Sequence, residues 1–190
     1  MKGATRRRVH GAFTILELVI VMLVIGIIAA MAIPSFMLYV RRARATEALQ
    51  NVPRIFNAAM AYFEVEHSTR SGTVPALHLP ETSPAVPTYV PGADVYAATV
   101  QDWDDASWQA LAFTVATPMR YRYQYCLGVG HHEGHDCIDG TMEADKTRFE
   151  VVAVGDLNGN GVFSLIVREA RGAGGPELRP MPLQTYSLDE

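Results

Sequence analysis

The chain is short of the patterns that mark enzymes. It holds no Walker loop and no G-x-S-x-G elbow, and its serines and histidines are scattered. Catalysis is therefore not expected. A basic excess is missing too. The 16 Lys and Arg stand against 20 Asp and Glu, a net charge of -4, so no nucleic-acid partner is expected. No internal repeat is evident. Charge is scarcest near the N-terminus. From Phe13 to Val40 the one charged side chain is Glu17, and Met1 to Gly11 contains no acid at all.

Phe13 to Ile33 is long enough to cross a bilayer, which takes about 20 apolar residues in a helix for about 30 Å of hydrocarbon. Arg41, Arg42 and Arg44 close its far end. The basic leader, with Lys2, Arg6, Arg7 and Arg8, puts the N-terminus in the cytoplasm and the body beyond the membrane. A cleaved secretory signal fits poorly, because the chain stays helix-like past Pro34 and has no small-x-small site there. Glu17 is what a plain anchor does not explain. A carboxylate inside a membrane costs at least a few kcal/mol unless it finds a partner. The span offers no Lys, Arg or His. The partner is then interfacial solvent or a cation from another chain, such as an α-amino group made by cutting before Phe13.

Ala12-Phe13-Thr14-Ile15-Leu16-Glu17-Leu18, the apolar helix, and Ala32-Ile33-Pro34-Ser35-Phe36 resemble the N-terminal signature of type IV pilins and pseudopilins. The resemblance covers residues 11–36. It implies that a prepilin peptidase removes the leader, that Phe13 becomes the N-methylated first residue, and that Glu17, fifth after the cut, pairs with a neighbouring subunit's N-terminus. The family normally has Gly before the cut; here Ala12 stands there, with Gly11 one step earlier. A cut after Gly11 is the alternative, and would make Glu17 sixth. Removal of residues 1–12 leaves 12 basic against 20 acidic residues, a charge near -8.

The fold class expected is α+β: a long N-terminal helix, its hydrophobic half protruding, packed on a small antiparallel sheet of about four strands. Residues 13–40 form the membrane or filament-core helix and residues 41–67 its amphipathic half. Ala45, Ala48, Leu49, Val52, Ile55, Phe56, Ala59 and Phe63 recur at helical spacing, with Arg44, Glu47 and Arg54 off that stripe. Pro34 marks a kink, and Pro53 either kinks the helix or begins a second segment. The proline-rich residues 68–100 read as a long loop, either a solvated linker or a surface where subunits touch. In the β domain, residues 101–170, Asp102–Trp108 makes a turn or short helix around two packing tryptophans. Strands are expected at Leu111–Ala116, Met119–Cys126, Arg148–Val154 and Gly161–Arg168, the last two joined by a tight turn. Tyr121, Tyr123 and Tyr125 share one face toward the helix. Residues 171–190 read as an irregular tail.

Two small groups carry chemistry. Cys126 and Cys137 are expected to form a disulfide in the oxidising periplasm, worth about 2–3 kcal/mol on loop entropy. His131, His132 and His135 with the two thiols are the rival metal reading, at a spacing that matches no standard zinc module. Asp156, Asn158 and Asn160, followed by Gly161, resemble half of a calcium loop. Val167 stands where its bidentate Glu belongs, so a bare Asn-Gly turn explains the same residues. Cofactors are then none, or calcium at that turn.

The function expected is a structural subunit of a type IV pilus, major or minor. It would be made as a precursor in the bacterial inner membrane and would end in a filament that spans the periplasm or leaves the cell. Its partners would be other pilin subunits, membrane lipid and the peptidase. The alternatives are a type II secretion pseudopilin and a single-pass anchor for a metal-binding domain.

Overall fold

A computed structural model describes residues 13–65, 67–69, 72–74, 78–128, 147–172 and 177–188. The leader, residues 1–12, the histidines at 131, 132 and 135, and Cys137 lie outside the described residues. The chain divides into two compact units, Met1–Tyr39 and Val40–Glu190.

Helix α1 runs Ile15–Phe63 without a break. In the first unit every described residue except Ala29 is exposed, apolar side chains included. This stretch has the length and composition to cross a membrane. Pro34 and Pro53 both lie within the helix, so Pro53 does not begin a second segment. Each proline removes one backbone donor. Around Pro53, burial of Ala48, Val52, Ile55, Phe56 and Ala59 holds the helix where local propensity would not.

In the second unit α1 lies on an antiparallel sheet. A short hairpin comes first, β1 (His67–Thr69) with β2 (Gly72–Val74). The main sheet joins β3 (Arg122–Leu127), β4 (Arg148–Gly155), β5 (Ser164–Gly172), β6 (Leu178–Pro180) and β7 (Gln184–Tyr186). Its order is β3-β4-β5-β6, and β7 also pairs with β5. The register Tyr123↔Ala153↔Ile166 and Leu127↔Phe149↔Ala170 puts alternate residues toward α1. There Phe56 meets Phe149 with ring centroids 5.1 Å apart, and Arg168 stacks over Phe56 at 4.1 Å. The tyrosine stripe packs as its spacing predicts, all three rings being buried.

Two stretches differ from their reading. Leu111–Ala116 forms no strand. A 3₁₀ turn, Val100–Trp103, and a short helix α2, Ala106–Ala110, precede it. Ala112 closes α2 with a left-handed φ of 47°, and the Phe113 N–H donates to the Trp108 carbonyl at 3.2 Å. Leu111, Phe113 and Val115 are buried, so apolar alternation is real but has no ladder beside it. The tail is not irregular throughout, since β6 and β7 extend the sheet. Trp103 and Trp108 pack edge to face in the core, centroids 5.1 Å apart.

The proline-rich segment is no solvated linker where it is described. It seals the outer edge of β3. Val86 exchanges both backbone bonds with Tyr123, at 2.9 and 2.8 Å. Ser83 N–H donates to the Tyr125 carbonyl at 2.9 Å, and Ser83 Oγ accepts from the Tyr125 N–H at 2.9 Å. Thr82 Oγ1 accepts from the Leu127 N–H at 3.0 Å.

Candidate functional site

The N-terminal site begins with Phe13, which is 77% exposed. Thr14 caps the helix: its Oγ1 accepts the Glu17 N–H at 3.2 Å, and its carbonyl accepts the Leu18 N–H at 3.2 Å. Glu17 therefore sits in the first helical turn, where orphan N–H groups and the helix dipole favour an anion. Phe13, Thr14 and Glu17 thus gather at one helix end. Ala12, the other half of the expected cut, lies outside the described residues.

Asp156, Asn158 and Asn160 come together in one loop, but not in a two-residue turn. Pairing of β4 with β5 ends at Gly155↔Ser164, and residues 156–163 form the link. The buried Asp156 carboxylate accepts N–H bonds from Gly159 (2.7 Å), Asn160 (3.2 Å) and Gly161 (3.0 Å). Asn158 Oδ1 accepts from the Asn160 N–H at 2.9 Å and Asn160 Oδ1 from the Val162 N–H at 2.7 Å. Positive φ angles at Gly159 (74°) and Gly161 (82°) turn these donors inward. In this geometry the three side chains of the half calcium motif accept backbone N–H groups, an Asx-turn arrangement. Among the described residues no group of three or more His, Cys, Asp or Glu is placed to hold a metal.

Cys126 is buried near the end of β3, opposite Glu150, and is not a free thiol.

One polar cluster was missed by reading the sequence. Glu47, read as lying off the buried stripe, accepts the Arg120 N–H at 2.9 Å and the Tyr123 O–H at 2.8 Å. Asn51 Nδ2 donates to the same Tyr123 oxygen at 3.1 Å. Burial raises the Glu47 carboxyl above its ordinary value, against the lowering effect of the Tyr123 hydroxyl and the backbone N–H groups of Arg120 and Tyr121. Burial likewise pushes Tyr121 up to about 12 and raises Tyr123, with the Glu47 charge adding to it. The cluster ties α1 to the sheet by satisfied hydrogen bonds. The available signal was Asn51, a polar residue between Ala48 and Val52 on the buried stripe.

A long apolar N-terminal helix joined to a small antiparallel sheet fits a type IV pilin. Over 51 residues the chain is 41% identical to the "Type IV major pilin protein PilA" of Myxococcus xanthus (strain DK1622). That stretch is 27% of this chain and spans only 23% of the relative's length. No family model matches the chain, and no solved structure matches it.

Proposed function

We propose that the chain is a pilin-like subunit of a type IV pilus. The observation that carries this is the helix stretch up to Tyr39, apolar and exposed almost throughout, with one acid in its first turn. Lipid solvates that surface in the inner-membrane precursor. After a prepilin peptidase cuts between Ala12 and Phe13 and Phe13 is N-methylated, helices of other subunits replace lipid. Glu17 then pairs with the new amine of a neighbour. A misregistered subunit leaves a charge unpaired in an apolar core, so the pair favours one axial register. Nothing in this role calls for catalysis. The partial likeness to a major pilin supports the class of subunit; the filament it builds and its place in it are part of the proposal.

Two structural details belong to the same reading. Cys126 pairs with Cys137 once the domain is outside the cytoplasm. The Asp156 loop closes through its own hydrogen bonds and folds without calcium.

The test is the intact mass and N-terminal sequence of the protein from the membranes of its own host. A chain starting at methylated Phe13 supports the processed subunit. A start at Ala12 keeps the class but revises the register, and a chain retaining Met1 overturns processing. Glu17→Ala is expected to insert in the membrane yet enter filaments poorly; normal entry would remove the pairing. Mass after alkylation without reductant reads the cysteine pair, and a calcium titration followed by thermal unfolding reads the loop.

A further inference from the structure

We infer that Asp156 guards two modification sites, holding Asn158-Gly159 and Asn160-Gly161 against deamidation. The chain has four asparagines, Asn51, Asn57, Asn158 and Asn160, and the last two are each followed by glycine. Asparagine is a thermolabile residue, and a following glycine exposes it most, because no side chain obstructs the glycine nitrogen. In the reaction that nitrogen gives up its proton and attacks Cγ of the preceding Asn. The new C–N bond closes a five-membered succinimide, and the side-chain nitrogen leaves with the proton as ammonia. Water then opens the ring at either carbonyl, so a neutral Asn becomes Asp or isoaspartate and carries a negative charge. No reactant other than water is needed.

Both attacking nitrogens are engaged by one carboxylate. Gly159 N–H donates to Asp156 Oδ1 at 2.7 Å and Gly161 N–H to Asp156 Oδ2 at 3.0 Å. Each proton must therefore be lost from a hydrogen bond to a charged acceptor, the stronger kind. Its loss also leaves an amide anion beside a buried carboxylate, and like charges at that range repel. The carboxylate is fixed from behind, since Asp156 is buried and its own N–H donates to the Pro91 carbonyl at 3.3 Å. The carbonyls under attack are restrained as well. Asn158 Oδ1 is tied to the Asn160 N–H at 2.9 Å and Asn160 Oδ1 to the Val162 N–H at 2.7 Å, so neither side chain turns freely. The two steps are not guarded equally. Gly159 has the shorter bond to Asp156, and Asn158 is half-buried where Asn160 is exposed. Asn160 is then the first to deamidate. The guard belongs to the folded second unit and stands whether or not the chain is a filament subunit.

The experiment ages the full-length chain in detergent at mildly alkaline pH and measures Asp and isoaspartate at each asparagine by peptide mass spectrometry. Wild type in guanidinium chloride supplies the unguarded rate. Folded wild type is expected to deamidate at Asn158 and Asn160 at least about ten-fold more slowly, the effect of one hydrogen bond to a charged group, with Asn160 ahead of Asn158. Asp156→Ala, shown to be folded by tryptophan fluorescence, is expected to lose most of that protection at both sites while Asn51 and Asn57 in α1 stay intact. Equal rates in folded and unfolded wild type overturn the guard. So does a folded Asp156→Ala chain as durable as wild type, which gives the protection to the rest of the loop. Amide hydrogen exchange of wild type reads the same bonds without a substitution, so the inference can fail even where Asp156→Ala does not fold. The Gly159 and Gly161 N–H groups are expected to exchange at least about ten-fold more slowly than in the unfolded chain; exchange at the unfolded rate overturns the inference.

Discussion

Ile15–Tyr39 and Val40–Phe63 belong to one continuous helix, yet they solve opposite problems. The first stretch carries apolar side chains all round and leaves almost all of them exposed. The second sorts them, burying Ala45, Ala48, Val52, Ile55, Phe56, Ala59 and Phe63 on one stripe and giving the rest of its surface largely to polar groups. Helical hydrogen bonding is common to both, so it cannot be what distinguishes them. What differs is the period of the apolar pattern, and with it the solvent each stretch is built for: hydrocarbon or packed helices in one case, the face of a sheet in the other.

The contrast is tested most strongly by truncation. Phe56→Ala is expected to destabilise the second unit by about 3–5 kcal/mol, because Phe56 fills the space between Phe149 and Arg168. Leu23→Ala should leave that stability within about 0.5 kcal/mol. Denaturant unfolding of the full chain in detergent, followed by tryptophan fluorescence, separates them, since both tryptophans lie in the second unit. Equal effects would erase the distinction between the two stretches.

Tyr123→Phe should cost about 1–3 kcal/mol, the penalty for leaving buried polar groups unpaired, since Glu47 and Asn51 both lose a partner. The Glu47 carboxyl also gives the second unit a pH dependence. Its raised folded value means the native state holds the proton more tightly than the unfolded chain, whose ordinary value is 4.5. The contribution is therefore fully present below pH 4.5 and lost as pH rises through the folded value. Glu47→Gln should flatten that part of a stability–pH curve; an unchanged slope would mean that Glu47 does not titrate differently on folding. Smallest is Tyr125→Phe. The Tyr125 hydroxyl is buried and finds no hydrogen-bond partner among the described residues, so its loss should change stability by about 0.5 kcal/mol or less.

The fold class was legible because two periods are clean in the sequence: the helical stripe from Ala45 to Phe63 and the alternation of Tyr121, Tyr123 and Tyr125. The same rule failed at Leu111–Ala116, where side chains alternate into the core but the backbone bonds back to α2. Burial periodicity reports which way side chains face, not whether a neighbouring strand exists. β6 and β7 were illegible for another reason. Each is three residues long, and β6 ends in Pro180; pairing with β5 makes them strands, and local sequence does not. Of the site, Glu17 stood out because its charge conflicts with its surroundings. Glu47 did not, because a carboxylate beside an apolar stripe reads as solvated until Tyr123 and the Arg120 N–H are seen to meet it.

The loop sealed against β3 has a consequence for the filament proposed above. A bare strand edge is an invitation to any other chain, and crowding many identical domains along a filament would press that invitation hardest. The outward N–H and carbonyl of Tyr123 and of Tyr125, and the N–H of Leu127, are already answered by Val86, Ser83 and Thr82. Contact through this edge would first require the chain to give up its own bonds.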